Sequence, residues 1–232
     1  MTIERETFED KGELAKALAG AVAERINAAI ETRGSAVIAV SGGTTPAKFF
    51  AALGKRKDVY WEKVTVTLVD ERWVDETSDR SNAGLVNEKM LQGPAAVAHF
   101  IPLYSGGAEP DAEAMARTAE ALKAIEGPLA AVVLGMGNDG HTASFFPGGD
   151  TLAEALTGTA PVLAIRAPGA GEPRVTLSLD RLLKTDGLFV HIEGEGKSAV
   201  LNTALGEGPV EDMPVRAVLR QDRVPVTIFW SP

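Results

Sequence analysis

The sequence contains no cysteine, which excludes disulfides and thiolate metal sites and fits a reducing compartment. Its three histidines, His99, His141 and His191, include no pair at ligand spacing, so no metal site is expected. No segment stays apolar for the ~18 residues that a membrane helix needs. Met1 to Asp10 is charged throughout and does not read as a targeting segment. Positive charge is the minority sign, with 23 Lys and Arg against 32 Asp and Glu and a formal net charge of −9. That balance argues against general binding to nucleic acid or to an anionic membrane. An anionic substrate would have to be met by cations gathered locally against this field. Repeats, linkers and low-complexity tracts are absent as well, so the 232 residues read as one domain over 1–232. A soluble, cytoplasmic protein is expected, monomeric or a small homo-oligomer.

Hydrophobic residues at 45% and charged residues at 24% are ordinary globular proportions. Leu14, Leu18, Val22, Ile26 and Ile30 recur every four residues and predict a helix over 11–32, stopped by Arg33-Gly34. Buried strands are predicted over 36–40, 64–69 and 131–134, and further strands over 161–165, 173–178, 187–192 and 224–230. Pro225 marks the last as an edge strand. Helices are predicted over 47–53, 82–91 (with Ser81 as N-cap), 112–125, 179–184 and 198–205.

The stretch Ala131 to Gly148 organises the chain. Its short apolar run reads as a buried strand of a parallel sheet, and the glycines after it allow a tight turn at the strand's C-terminal end, where open α/β sheets place ligands. That turn carries Asn138, Asp139 and His141. A carboxylate two residues from a histidine can orient the imidazole and fix its tautomer. Gly135-x-Gly137-x-x-Gly140 also matches the dinucleotide fingerprint, and Arg166 at the end of the next strand would suit the 2′-phosphate of NADP. Against that reading, Pro147-Gly148-Gly149 interrupts the long helix that the third glycine should open.

Three other strand ends carry polar signals. Ser41-Gly42-Gly43-Thr44-Thr45-Pro46 joins a strand to a helix with proline at the first turn, which gathers backbone N–H groups at a helix N-terminus and suits a phosphate. No Gly-Lys-Ser/Thr follows, so it is not a Walker loop. Asp70-Glu71-Arg72 closes another strand; it is either a solvated rim, or Arg72 faces a ligand and a neighbouring acid holds it. Lys197 stands at the start of a helix, where a cation opposes the dipole, a local cost expected where a residue serves a site.

Taken together, S-G-G-T-T-P (41–46), D-E-R-W-V (70–74), S-N-A-G-L-V-N-E-K-M-L (81–91), G-M-G-N-D-G-H-T-A-S-F-F-P-G (135–148), P-R-V-T-L-S (173–178) and G-E-G-K (194–197) resemble the 6-phosphogluconolactonase family, which belongs with glucosamine-6-phosphate deaminase in one superfamily. The resemblance implies a Rossmann-like α/β fold on a largely parallel sheet with helices on both faces, and no cofactor. It implies hydrolysis of 6-phospho-D-glucono-1,5-lactone to 6-phosphogluconate, the second step of the oxidative pentose phosphate pathway. It points to Gly42, Gly43, Thr44 and Thr45, with Ser41 in the same loop, and to Arg72, Arg174 and Lys197 as contacts for the phosphate and nearby polar groups. Asp70 and Asn138 are second-tier candidates.

Elementary chemistry agrees with the resemblance. Lactone hydrolysis needs a base for water, stabilisation of the oxyanion and a proton for the departing ring oxygen. His141 is expected to serve as base and then as acid, with Asp139 orienting it and favouring its charged form. Two rival readings stay open. A deaminase would carry an acidic residue a few positions after its histidine, as the resemblance has it, where Thr142 to Pro147 offers none. A non-catalytic sugar-phosphate sensor would carry a DNA-binding segment, and nothing basic or helix-turn-helix-like precedes Ser35. His99 is expected to be structural or solvent-facing, and His191 to be a satisfied sheet residue or to point toward the site. Ala167 to Pro173, rich in glycine and proline, is the segment most suited to move.

Overall fold

The computed structural model describes residues 3–232. In chain order the strands are β1 (Ile3–Thr7), β2 (Ala36–Val40), β3 (Val64–Leu68), β4 (Asp70–Arg72), β5 (His99–Ile101), β6 (Ala131–Leu134), β7 (Val162–Ile165), β8 (Arg174–Leu177), β9 (Leu188–Glu193) and β10 (Val226–Ser231). The helices are α1 (Lys11–Arg33), α2 (Ala47–Gly54), α3 (Asn82–Lys89), α4 (Ala112–Leu122), α5 (Leu152–Thr157), α6 (Leu179–Leu182), α7 (Glu195–Leu205) and α8 (Val215–Leu219).

Seven strands form one sheet in the order β1-β10-β9-β6-β2-β3-β5, and every neighbouring pair in it is parallel. Such a sheet must be covered, and its central strands are accordingly almost wholly apolar: Ile38, Ala39, Val40, Val132, Leu134 and Val190 are fully buried. The expected stripe of α1 is the cover for part of it. Leu14, Leu18, Val22 and Ile26 are fully buried and Ile30 nearly so, and the helix packs on α2 and on β2, β6 and β10. Asp10 caps its start by accepting from the Gly12 and Glu13 N–H groups, and Gly34, at φ +81°, ends it. Its C-terminal stop was therefore readable from Arg33-Gly34.

Strand order fixes where a ligand can sit. β2 and β6 are adjacent, but the chain leaving β2 returns to the sheet as β3 on one side, while the chain leaving β6 returns as β9 on the other. The crevice between such diverging connections, at the strands' C-terminal ends, is the switch point of an open α/β sheet.

Three expectations need correction. Strand 224–230 is not an edge: β10 lies between β1 and β9, and Pro225 stands just before it, where its missing N–H costs no ladder bond. The edge on that side is β1, in the charged N-terminal stretch; its Glu4, Arg5 and Glu6 are exposed, which suits an edge that must not recruit another chain. The run 64–69 does not continue as one element, because β3 ends at Leu68 and Asp70–Arg72 starts a second sheet. That sheet, β4-β8-β7, is antiparallel, and Val69 joins the two by donating to Val40 O and accepting from Leu177 N. Predicted helix 198–205 begins earlier, at Glu195, so Lys197 lies inside its first turn. Helix 112–125 ends at Leu122 and helix 82–91 at Lys89, each within a turn of the expected stop.

Candidate active site

Loops leaving β2, β6 and β9 meet β4 and β8 around one cavity of about 370 Å³ at the switch point. Its lining includes Ser41 to Pro46, Asp70, Arg72, His141, Arg174 and Lys197. Ser41 ties two of the loops: its N–H donates to Val133 O at 2.9 Å, and its Oγ accepts from Gly135 N at 3.1 Å. Gly42 is required by close approach, since a Cβ there would fall 2.0 Å from Asn82 Oδ1. Gly43 takes φ +92°, which only glycine adopts without strain. α2 and α7 both begin at the cavity, and neither has a side-chain cap. Their first N–H groups, at the positive ends of the helix dipoles, suit an anion.

His141 and Asp139 form the pair that their spacing predicted. His141 Nδ1 lies 2.6 Å from Asp139 Oδ1, and the His141 backbone N–H donates to the same oxygen at 3.1 Å. The carboxylate therefore accepts a hydrogen bond from Nδ1–H and leaves Nε2 as the basic nitrogen. This bond is the main reason that the Asp139 carboxyl is lowered to about 2. The turn is closed by Gly137 N donating to His141 O at 2.8 Å, and a Cβ on Gly137 would stand 2.1 Å from His141 Nδ1. Phe146 backs the imidazole, with ring centroids 4.2 Å apart. Ala143, two residues past the histidine, holds φ +47°, a strained conformation for a non-glycine residue and one that clusters at functional sites. No helix follows Gly140 before Leu152, so the dinucleotide reading lacks the element that it needs.

Three cations, Arg72, Arg174 and Lys197, line the same cavity. Arg72 and Arg174 face each other in the β4–β8 register. Arg174 is buried, its guanidinium stands over Phe146 at 5.4 Å, and burial pushes its pKa down while Asp70 acts the other way. Burial also lowers the Lys197 ammonium, an effect that the Asp139 charge partly offsets. Among the described residues no carboxylate pairs with Lys197, Arg72 or Arg174 at salt-bridge distance. Two buried polar atoms on lining residues have no protein partner, the donor Arg72 Nε and the acceptor Asn82 Oδ1. Unsatisfied buried groups are costly, and here they border a cavity that a polar ligand can enter.

The acids beside Arg72 are not a solvated rim, nor do they hold its guanidinium. Asp70 is buried and accepts from Ser144 Oγ at 2.6 Å. Glu71 is fully buried and caps α3: Oε1 accepts from Arg72 N and Asn82 N, and Oε2 from Ser81 Oγ and Ala83 N. Burial raises its pKa, against the pull of three backbone N–H groups. Asn138 and Asp139 are both exposed and stand outside the cavity lining, and Asp139 acts on the site only through its bond to His141. His191 satisfies both alternatives. It is a buried sheet residue, 3.3 Å from Glu193 Oε1 and edge-on to Phe49, and it also lines the cavity. His99 is exposed at the edge strand β5. Sequence reasoning did not single out Asn82, Phe146 or Glu193; a helix start and a strand end were the available signals for Asn82 and Glu193, and Phe146, in the loop after His141, had none of that kind.

Among the described residues no helix is long and apolar enough to cross a membrane, and no cluster of His, Cys, Asp and Glu could hold a metal. Residues 9–230 match the family described as glucosamine-6-phosphate isomerases/6-phosphogluconolactonase. A protein of Mesorhizobium japonicum named 6-phosphogluconolactonase is 51% identical over 229 residues, covering 97% of this chain and 94% of its own length. One of Rhizobium meliloti with the same name is 50% identical, with both chains fully covered. The crystal structure of a 6-phosphogluconolactonase from Shewanella baltica superposes with a TM-score of 0.96 at 39% identity, covering 100% of this chain and 98% of that one. A switch-point cavity lined by His141 and by three cations without a carboxylate partner among the described residues is thus found in a chain that belongs to the glucosamine-6-phosphate isomerase/6-phosphogluconolactonase family.

Proposed function

We propose that this chain hydrolyses 6-phospho-D-glucono-1,5-lactone to 6-phosphogluconate, with His141 as general base. The reading is carried by the His141–Asp139 pair, whose imidazole lines a cavity of substrate size together with Arg72, Arg174 and Lys197. The phosphate lies against Arg72, Arg174, Lys197 and the Ser41–Thr45 loop, which supply locally the positive charge that the chain as a whole lacks. Fixing the phosphate in this cavity holds the lactone for attack, so binding energy from a remote group positions the reacting one.

Nε2 of His141 takes a proton from water as its oxygen attacks C1. The tetrahedral oxyanion collapses, the C1–ring oxygen bond breaks, and the same Nε2 returns the proton to the leaving oxygen. Asp139 stays ionised throughout and stabilises the imidazolium. The segment just after His141 disfavours a deaminase: the Thr142 hydroxyl donates to Gly135 O and the Ser144 hydroxyl to Asp70, and Thr142 to Pro147 holds no acid. The reading carries with it a single domain, a cytoplasmic and cofactor-free enzyme, and no nucleic-acid partner.

The test is lactone formed in situ, with 6-phosphogluconate release followed above the spontaneous background. A rate well above background that collapses in His141→Ala supports the proposal. A folded wild-type protein that gives no acceleration removes it.

A further inference from the structure

Two guanidinium groups directly opposite each other across β4 and β8 repel, and something must fix their spacing. Each is held by one backbone carbonyl from a different loop. Arg72 Nη1 donates to Arg80 O, and Arg174 donates to Ala170 O through Nε, at 3.2 Å, and through Nη2. The loops that present these carbonyls are themselves joined. Arg80 Nε donates to Glu172 Oε1 at 2.8 Å and Arg80 Nη2 to Glu172 Oε2 at 3.0 Å, a two-bond fork. Pro173, next to Glu172, accepts from Trp73 N at 2.7 Å, so the same junction is stitched along the backbone. The segment 167–173, whose composition suits movement, is therefore tied to the loop after β4.

We propose that the Arg80–Glu172 pair is a positioning clip that sets the distance between Arg72 and Arg174 before a phosphate arrives. Arg80 and Glu172 act through those two arginines. The Glu172 carboxyl, lowered to about 2 chiefly by its bond to Arg80, is ionised across the working pH range, so the clip stays closed there. The inference rests on the phosphate contacts of the proposed function.

The sign of one substitution separates this role from a simple charge effect. Glu172 lies close enough to Arg174 for their charges to act on each other. If it were only a nearby negative charge, Glu172→Gln would tighten the binding of an anion. A clip predicts the reverse.

The experiment compares wild type, Glu172→Gln, Arg80→Gln and the double variant in three measurements. These are inorganic phosphate binding by calorimetry, kcat and KM for the lactone, and the melting temperature as a check on folding. The expected result is a phosphate Kd and a KM that each rise roughly two- to fivefold, the reach of an exposed pair. Unchanged kcat and a double variant no worse than the weaker single one complete the prediction. Tighter or unchanged phosphate binding in Glu172→Gln overturns the clip, as do additive effects or a kcat loss at constant KM. A wild-type protein that neither binds phosphate nor hydrolyses the lactone removes the functional reading itself, and the clip with it.

Discussion

Replacing Gly137 with alanine should damage the reaction while sparing the fold. A Cβ at that position would lie 2.1 Å from His141 Nδ1, 2.2 Å from Cε1 and 2.5 Å from Asp139 Oδ1. Carbon contacts that close do not occur, so the imidazole and the carboxylate must retreat by roughly 1 Å, a misplacement that costs on the order of 100-fold in rate. Gly137 has no positive φ, so alanine brings no backbone strain there. Both displaced side chains are partly exposed and can move without disturbing the core. The expected outcome is a kcat down about 100-fold with KM nearly unchanged. Steady-state lactone hydrolysis, corrected for the spontaneous rate, is the assay. Gly20→Ala in α1 is the matched control, because its Cβ meets nothing within 4 Å; it should leave kcat alone and raise stability by about 0.5–1 kcal/mol. A Gly137→Ala enzyme within twofold of wild type would refute the claim that the His141–Asp139 geometry sets the rate.

Removing the base outright, His141→Ala should lower kcat by about 10²–10⁴-fold, whereas Lys197→Ala should act mainly on KM. Acid should erode a contribution from Asp139. Its carboxyl is at about 2 instead of 3.8, so the stabilisation is fully present above the ordinary value and is lost as pH falls from there toward about 2. Urea midpoints over that window should depend less on pH in Asp139→Asn, and an unchanged slope would contradict the bond. Glu71→Gln should cost about 1–3 kcal/mol, because an amide NH₂ must then face a backbone N–H that the carboxylate oxygen now accepts. The melting temperature would report it as a drop of several degrees, with little change in KM.

Much of the site was legible because its chemistry sits where the chain changes from strand to helix. Glycines, hydroxyls and a proline at 41–46, and Asp139 with His141 beyond β6, are local signals that need no partner to be read. The stripe on α1 was legible for the same reason, since a period of four within one segment declares its buried face. What stayed hidden depends on pairing. Nothing local to Asp70–Arg72 says that it leaves the parallel sheet, because that depends on β8 pairing with it in antiparallel register. Nothing local to Glu71 says that it will cap a helix starting eleven residues later, at Asn82. Nothing local to the charged run Ile3–Thr7 says that it is a strand, because that depends on β10 lying beside it. Asn138 shows the converse, a polar residue in the right motif whose side chain lies outside the cavity.

The pairing of β1 with β10 also bears on how the molecule is made. Ile3 finds its register against Val226, so β1 waits for β10, which follows every other strand of the sheet in chain order. The central strands can meet earlier, for β2 needs only β3 and β6. Synthesis therefore proceeds with β9 presenting an unpaired edge until the final strand fills it. Closing that longest loop adds little entropy beyond a shorter one, yet it leaves completion of the sheet to the last made of its seven strands.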